Sequence, residues 1–375
     1  MPTPINQSVV VITGASSGIG KATAIAFARE GASLALCARR LQELDATAAA
    51  CREAGAKVEA MVVDVSGADD VEALAQRAVE TYGKIDTWIN NAGMDAFGTF
   101  ADMPLETIER CLHINLFGTI HGMKAVLPHF IERGTGIVIN NASLVGIVPT
   151  PFHSAYVASK FAIRGLSHSV RQELVAHPGV HVCTICPSSI DTPLWQRAAN
   201  YSGRKIKPLD PVHPVEQVAA VMLGLARSPR REVFAGATGW IMSEQHNADP
   251  ELTEIMAAGI ARMSLFQDSP AEATSGSLFD AEDGEGGASG GWMAPATPGL
   301  PVGDLLGVTM SPALLLMPMM FSLQVGRQFV EQWARQLPSL TPPPRAPLGG
   351  MAKLAGEGIS GPMVLADGNA SGALS

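Results

Sequence analysis

Tyr156 and Lys160 stand one helical turn apart in Tyr156-Val157-Ala158-Ser159-Lys160, with Ser143 a short way upstream. Hydride addition to a carbonyl develops an alkoxide that must take up a proton. A tyrosine with the reference pKa of about 10 is a poor acid–base group at neutral pH. A nearby cation stabilises its phenolate and moves the pKa toward the working range. The i, i+4 spacing puts Lys160 on the same helix face as Tyr156. Such pairs recur by chance on exposed helices. Here a second pattern precedes it: the apolar run Val9–Ile12 leads into Thr13-Gly14-Ala15-Ser16-Ser17-Gly18-Ile19-Gly20. Together, in this order, the two patterns imply nicotinamide-dependent exchange between a carbonyl and an alcohol.

The glycines explain how a dinucleotide would be held. Gly14 and Gly18 let the backbone bend and approach a pyrophosphate, and Gly20 lets the helix pack on the strand. The helix N-terminus favours the anion. Ser16, Ser17 and Ile19 lie in the same turn. The second strand ends in Cys37-Ala38-Arg39-Arg40 with no carboxylate. An acid there would hold a ribose 2′-hydroxyl, whereas a guanidinium pairs with a 2′-phosphate, so Arg39 and Arg40 point to NADP (NADPH). Asp64 is placed to accept from the adenine amino group, with the Val65 backbone alongside. Asn91, Ala92 and Gly93 close the fourth strand with small residues that permit close cofactor approach.

These residues need a frame that brings strand ends together. Strands are expected at Ser8–Ile12, Ser33–Ala38, Lys57–Val63, Ile85–Ile89, Gly136–Asn141, Val180–Cys186 and Glu232–Ala235. Helical stretches lie between them near 18–30, 42–54, 68–82, 105–131, 154–177 and 214–227. The apolar runs are mostly unbroken, as in strands covered on both faces. Repeated β-α units require a parallel sheet with right-handed crossovers. The expected fold is α/β, a doubly wound parallel sheet with ligands at the carboxyl ends of its strands.

The chain has 375 residues, 47% hydrophobic and 16% charged, with a formal net charge of −9. That size supports a large core, and the charge gives no basic footprint for nucleic acid. Five cysteines are too few and odd in number for a secreted disulfide framework. Cys183 and Cys186 form a C-x-x-C, but residues three apart on a strand point to opposite faces, so a core role is expected. The histidines show no H-E-x-x-H or similar spacing, and no metal is expected. The N-terminus lacks a charged region and an apolar signal core, so a cytoplasmic location is the default. Asn141-Ala142-Ser143 is formally a glycan acceptor, yet a glycan there would bury the proposed site.

Residues 1–250 read as the catalytic domain, 251–292 as a surface arm and 293–375 as a low-complexity, Pro/Gly-rich C-terminal extension. The uncharged run 305–326 is interrupted by Pro312 and Pro318, and apolar residues at helical spacing follow over 319–337. Docking of 305–337 on this protein's own core or a partner subunit is one reading, and peripheral membrane contact is the other.

At this point the chain resembles the short-chain dehydrogenase/reductase superfamily, in its shorter single-domain branch. The resemblance rests on the glycine turn, Asp64, Asn90-Asn91-Ala92-Gly93, Asn115, Ser143, Tyr156-x-x-x-Lys160 and Pro187-Ser188-x-Ile190-x-Thr192, and covers residues 8 to about 240. It implies an extended Rossmann fold of about seven strands, and a homodimer or homotetramer built through the helices holding Asn115 and Tyr156. It also implies roles. Tyr156 is the proton donor or acceptor, and Lys160 lowers its pKa and holds the nicotinamide ribose. Ser143 bonds the substrate oxygen, Asn115 supports a water-linked relay through Lys160, and Thr192 bonds the carboxamide. Ser188 departs from the family's usual glycine, so the loop carrying Pro187, Ile190 and Thr192 is expected to differ slightly.

The walls expected around the site, Leu144–His153 and a flap over Asp191–Lys207 with Trp195 and Tyr201, are largely apolar. A small apolar carbonyl or alcohol is the expected substrate. His153 reads as a wall residue, since Tyr156 already fills the acid role. Two rivals stand beside this reading: a 3-oxoacyl-type reductase of lipid metabolism, and a non-catalytic NADP-binding regulator or scaffold. A pure binder would have no need of the Asn115/Ser143/Tyr156/Lys160 set.

Overall fold

A computed structural model describes residues 2–281 and 286–293. The apolar segment 305–337 lies outside them. In chain order the elements are β1 (Val9–Thr13), α1 (Gly18–Arg29), β2 (Ser33–Ala38), α2 (Leu41–Glu53), β3 (Val58–Val62), α3 (Ala68–Tyr82), β4 (Thr87–Asn90) and β5 (Ala96–Phe97). Next come α4 (Leu105–Leu112), α5 (Gly118–Arg133), β6 (Gly136–Asn141), α6 (Ser154–Glu173), β7 (Val180–Pro187), α7 (Leu194–Arg197), β8 (Ala199–Asn200) and β9 (Arg204–Ile206). The last are α8 (Val215–Arg227), β10 (Glu232–Ala235), α9 (Ala237–Ala248), α10 (Pro250–Ser264) and β11 (Phe266–Pro270).

The main sheet runs β10-β7-β6-β4-β1-β2-β3 with every pairing parallel. It is the doubly wound α/β fold anticipated from the sequence. Each inner strand feeds two cores because successive side chains leave on opposite faces. Val10 and Ile12 of β1 join one apolar cluster and Val11 the other. On β7 Cys183 packs in one cluster and Cys186 in another, so the two thiols diverge as expected.

The order reverses between β1 and β4. A crevice therefore opens at their carboxyl ends, where a doubly wound sheet takes its ligand. A buried polar chain supports this centre. Trp88 Nε1 donates to Asn90 Oδ1 at 2.7 Å, Asn90 Nδ2 to Asn140 Oδ1 at 2.8 Å, and Asn140 Nδ2 to the Ser167 hydroxyl at 2.8 Å.

Several local features differ from the sequence-based expectation. The helix expected over 105–131 is interrupted by a π-helical turn, His113–Phe117, between α4 and α5. Two small pairs, β5–β8 parallel and β9–β11 antiparallel, stand apart from the main sheet. Beyond residue 250, α10 begins with Pro250 in its first turn and the Asp249 carboxylate accepting from Leu252 N at 3.0 Å.

Candidate active site

At the carboxyl end of β1, the Thr13 hydroxyl accepts from the amides of Asn91 and Ala92 at 3.0 and 3.1 Å, pinning the glycine turn to the end of β4. Gly14 has φ +66°, and a Cβ there would sit 2.7 Å from Ala92 Cα. A Cβ on Gly20 would lie 2.2 Å from the Gly14 carbonyl oxygen. Both positions exclude a side chain, and α1 starts where the turn ends. Ser17, at the N-cap of α1, makes no capping bond with its side chain.

The crevice encloses about 180 Å³. Gly14, Ser16, Ser17, Gly18, Ile19, Arg39, Arg40, Asp64, Val65, Asn91, Ala92, Gly93, Tyr156, Lys160 and Thr192 all line it. Gly20, Pro187 and Ile190 stand behind that surface. Pro187 ends β7, and the buried Ile190 accepts from Trp195 Nε1 at 3.0 Å through its carbonyl.

A polar cluster lies beyond the carboxyl ends of β2 and β3. Arg40 donates to the Ser16 and Ser17 hydroxyls at 3.2 and 3.1 Å and pairs with the buried Glu43 at 2.7 Å. Arg197 reaches the same Glu43 at 3.0 Å and Ser17 at 3.3 Å. Asp64 pairs with Arg110 at 2.6 Å and accepts from Ser66. Asp64 lies below the usual carboxylate range: burial pushes it up, but the bonds from Ser66 and Arg110 outweigh that.

At the other end, Tyr156 and Lys160 project from α6, with the Lys160 nitrogen 5.2 Å from the Tyr156 ring centroid. Lys160 Nζ donates to the Asn141 carbonyl at 2.7 Å. The Ser143 hydroxyl hydrogen-bonds the Tyr156 phenol and approaches the Pro187 carbonyl at 3.5 Å. Asn115 sits in the π turn, a type of distortion that gathers at functional sites. Its Oδ1 accepts from Met94 N at 2.8 Å, and its Nδ2 donates to Met94 O at 2.9 Å and to the Ser159 hydroxyl at 3.0 Å. Both Asn115 and Lys160 approach Gly93, where a Cβ would lie 3.3 Å from Asn115 Oδ1 and 3.8 Å from Lys160 Nζ.

Charge at this end is set by burial. Burial brings Lys160 down to about 8, opposed by Cys111 and Asp95. Burial and then the nearby Asp95 push the Tyr156 phenol above its ordinary value, with the Ser143 hydrogen bond opposing. Lys160, 5.2 Å from the Tyr156 ring, is the cation placed nearest to offset that rise.

Several functional neighbours were not legible beforehand. Asp95, 3% exposed, sits 3.1 Å from His153 Nδ1, and the His153 ring stacks on both Tyr156 and Phe97. Ser188, which replaces the family's usual glycine, bonds the Ala235 carbonyl at 3.2 Å and ties its loop to β10. The arm lies across the crevice rim. Arg39 donates to the carbonyls of Ser277, Leu278 and Phe279, and Gly18 N donates to Gly287 O at 3.1 Å. None of these arm acceptors is a side chain, so no residue type announces them.

The fit of a nicotinamide dinucleotide rests on observed features. The glycine turn leaves no room for side chains, α1 presents its N-terminus, and Arg39, Arg40 and Arg197 line the crevice beside it. Asn141 lines the crevice and keeps its buried Oδ1 without a hydrogen-bond partner. Among the described residues no cluster of His, Cys, Asp or Glu could hold a metal ion, and no helix is long and apolar enough to cross a membrane.

Comparison with known proteins agrees with this geometry. Residues 8–202 match the family described as short chain dehydrogenase. The uncharacterized oxidoreductase YxnA of Bacillus subtilis is 33% identical over 295 residues, 77% of this chain and 83% of that protein. A short-chain dehydrogenase/reductase from Burkholderia phymatum in complex with NAD superposes with TM-score 0.61 at 25% identity, over 67% of this chain and 97% of that one. An alcohol dehydrogenase from the archaeon Thermococcus sibiricus, complexed with 5-hydroxy-NADP, gives TM-score 0.54 at 30% identity, over 60% of this chain and 95% of that one. The chain belongs to the short-chain dehydrogenase/reductase family and is an oxidoreductase built on its nicotinamide-binding Rossmann fold.

Proposed function

We propose that the protein is an NADP(H)-dependent oxidoreductase that interconverts a small apolar carbonyl compound and its alcohol, with Tyr156 as proton donor and acceptor. The observation that carries this reading is that Tyr156 and Lys160 line one end of a crevice whose other end is the glycine turn, with the Ser143 hydroxyl hydrogen-bonded to Tyr156. Bound there, the cofactor supplies or accepts the hydride.

This chain's residues do the rest. Ser143 holds the substrate oxygen, and the Tyr156 phenol gives it a proton during reduction and takes one during oxidation. Lys160 holds the nicotinamide ribose and favours the Tyr156 phenolate. Asn115 fixes the backbone at Met94 and bonds Ser159 within the Tyr156–Lys160 turn, keeping α6 in register with the end of β4. Thr192 closes the nicotinamide end. Phe97, fully buried, stacks between His153 and Trp195 and makes the interior beside Tyr156 apolar, which suits an apolar substrate.

The preference for NADP rests on the absence of an acid at the end of β2 and on Arg39, Arg40 and the Ser16 and Ser17 hydroxyls at that end. The same reading expects a cytoplasmic homodimer or homotetramer.

The test is NADPH consumption against aldehydes, cyclic and steroid ketones, 3-oxoacyl thioesters and quinones, with Tyr156→Phe beside the parent protein. Turnover that falls at least about a hundredfold in the variant supports the assignment, in line with loss of a positioned acid–base group. Turnover unchanged in Tyr156→Phe overturns it. Arg39→Ala is expected to weaken NADPH far more than NADH. Equal loss for both sinks the 2′-phosphate assignment.

A further inference from the structure

The arm reaches the crevice as two described pieces that touch different parts of the dinucleotide site. The first, 277–281, is driven in by Leu278, which is fully buried in the cluster that includes Val65 and Ile114. It leaves the Ser277, Leu278 and Phe279 carbonyls around the Arg39 guanidinium. Arg110 Nε also donates to Leu278 O at 3.2 Å while Arg110 holds Asp64, so this piece is tied to the adenine edge as well. The second, 286–292, lies along the start of α1. Lys21 Nζ donates to Gly286 O at 2.8 Å and Gly18 N to Gly287 O. The Asp191 carboxylate clasps this piece by accepting from the Ser289 hydroxyl at 2.6 Å, Gly290 N at 3.0 Å and Trp292 N at 2.9 Å.

From this division we infer that the arm is a cofactor-specificity element: its 277–279 carbonyls compete with a 2′-phosphate for Arg39, and its 286–292 piece competes with the pyrophosphate end that every dinucleotide shares. The inference rests on the reading of Arg39 as the 2′-phosphate residue. Three carbonyl oxygens place partial negative charge on donors that a phosphate would otherwise use, and oxygen facing oxygen is repulsive. NADH makes no demand on Arg39, and whatever the first piece denies the adenine edge it denies both cofactors alike. NADPH must displace it. The crevice volume agrees, since about 180 Å³ is below the roughly 300–1,000 Å³ of sites that bury a sizeable ligand. Docking of the arm therefore handicaps the phosphorylated cofactor, and undocking of the first piece restores the preference that Arg39 confers.

The two pieces are separable by substitution in the full chain. Leu278→Ser removes the apolar plug of the first piece, and Asp191→Ala unclasps the second. Dissociation constants for NADPH and NADH, read by calorimetry on each variant, give the answer. Leu278→Ser is expected to tighten NADPH at least fivefold more than it tightens NADH. Asp191→Ala is expected to tighten both by a common factor. If melting shows that Leu278→Ser has lost the fold, Leu278→Ala is measured in its place with the same criterion. An unchanged NADPH-to-NADH ratio in the Leu278 variant overturns the inference, as does weaker NADPH binding, which would make the arm part of the site. Arg39→Ala in the same assay separates the two failures. Equal loss of both cofactors there removes the 2′-phosphate reading itself, whereas selective loss beside an unresponsive Leu278 variant removes only the role of the arm.

Discussion

His153 lies nearly flat against Tyr156, their ring centroids 5.7 Å apart and their planes inclined by 17°, while its Nδ1 faces the Asp95 carboxylate at 3.1 Å. A carboxylate only accepts, so Nδ1 carries the hydrogen, and Nε2 is left to pair with the Thr150 hydroxyl. The pair thus keeps a buried anion beside the phenol. After burial, Asp95 is the next largest influence raising Tyr156.

Removing that charge should therefore ease ionisation of Tyr156. Asp95→Asn keeps an acceptor for His153 and is expected to move the Tyr156 titration to lower pH by about one unit, a factor of ten in the equilibrium. Tyrosinate absorbance reads this without any substrate, because the chain has three tyrosines and Tyr156→Phe supplies the blank. The basic limb of alcohol oxidation should shift the same way. A titration that stays put or moves upward contradicts the charge argument.

Lys160 makes a stability prediction. Its folded-state pKa is lowered by burial from 10.5 to about 8, so between these values the unfolded chain binds more protons than the native one. Stability attributable to Lys160 then rises with pH through about 8 to 10.5, and the full cost of the buried ammonium is present below pH 8. The shift is worth on the order of 3 kcal/mol. Lys160→Met should be more stable than the parent at pH 7, with the gap closing toward pH 10. Denaturant melts of both proteins across that range check it, and parallel curves would show that the ammonium is not desolvated in the native state.

The sheet was legible because parallel strands buried on both faces must be apolar throughout. Ser33–Ala38, Gly136–Asn141 and Glu232–Ala235 appear with the bounds read from sequence. The glycine turn and the Tyr156/Lys160 pair were legible for a different reason: their chemistry demands particular residue types at set spacings. The π turn at His113–Phe117 carries no such signature, since an i→i+5 bond asks nothing of composition, and the run over 105–131 reads as one helix. The Asp95–His153 pair spans 58 positions, and no local pattern links such residues. The arm is harder still to foresee. It meets Arg39 and Gly18 through backbone carbonyls that any residue possesses, so Ser277–Phe279 read from sequence as nothing more than a polar loop.

Two glycines in helices should respond in opposite ways to alanine. At Gly20 a Cβ would sit 2.2 Å from the Gly14 carbonyl oxygen and 2.6 Å from Asn91 Nδ2. The first is backbone within the cofactor turn and has no room to retreat. Gly20→Ala should lose several kcal/mol of stability, as other changes that overpack a core do, together with cofactor binding. Gly224, exposed within α8, has nothing within 4 Å of a Cβ. There alanine should stabilise by about 0.5–1 kcal/mol by removing glycine's entropic cost. Urea melts of the two variants decide it, and a gain at Gly20 would show that the turn is not packed as described.

The cysteines offer a test of the core that needs no ligand. Cys37, Cys51, Cys111, Cys183 and Cys186 are all buried and unpaired. Burial pushes Cys51 and Cys183 up to about 11 and Cys37 and Cys186 up to about 12, and it raises Cys111 as well. The reactive form is the thiolate, so at pH 8 each thiol is both shielded and protonated. An aromatic disulfide reagent should label native protein slowly at all five positions and unfolded protein at once. Oxidation should not join Cys183 to Cys186, because they belong to different apolar clusters on β7. Fast labelling of one thiol in the native state would locate a region that opens below the global unfolding free energy. Rapid oxidative loss of the Cys183/Cys186 pair together would mean that β7 does not present them to opposite faces.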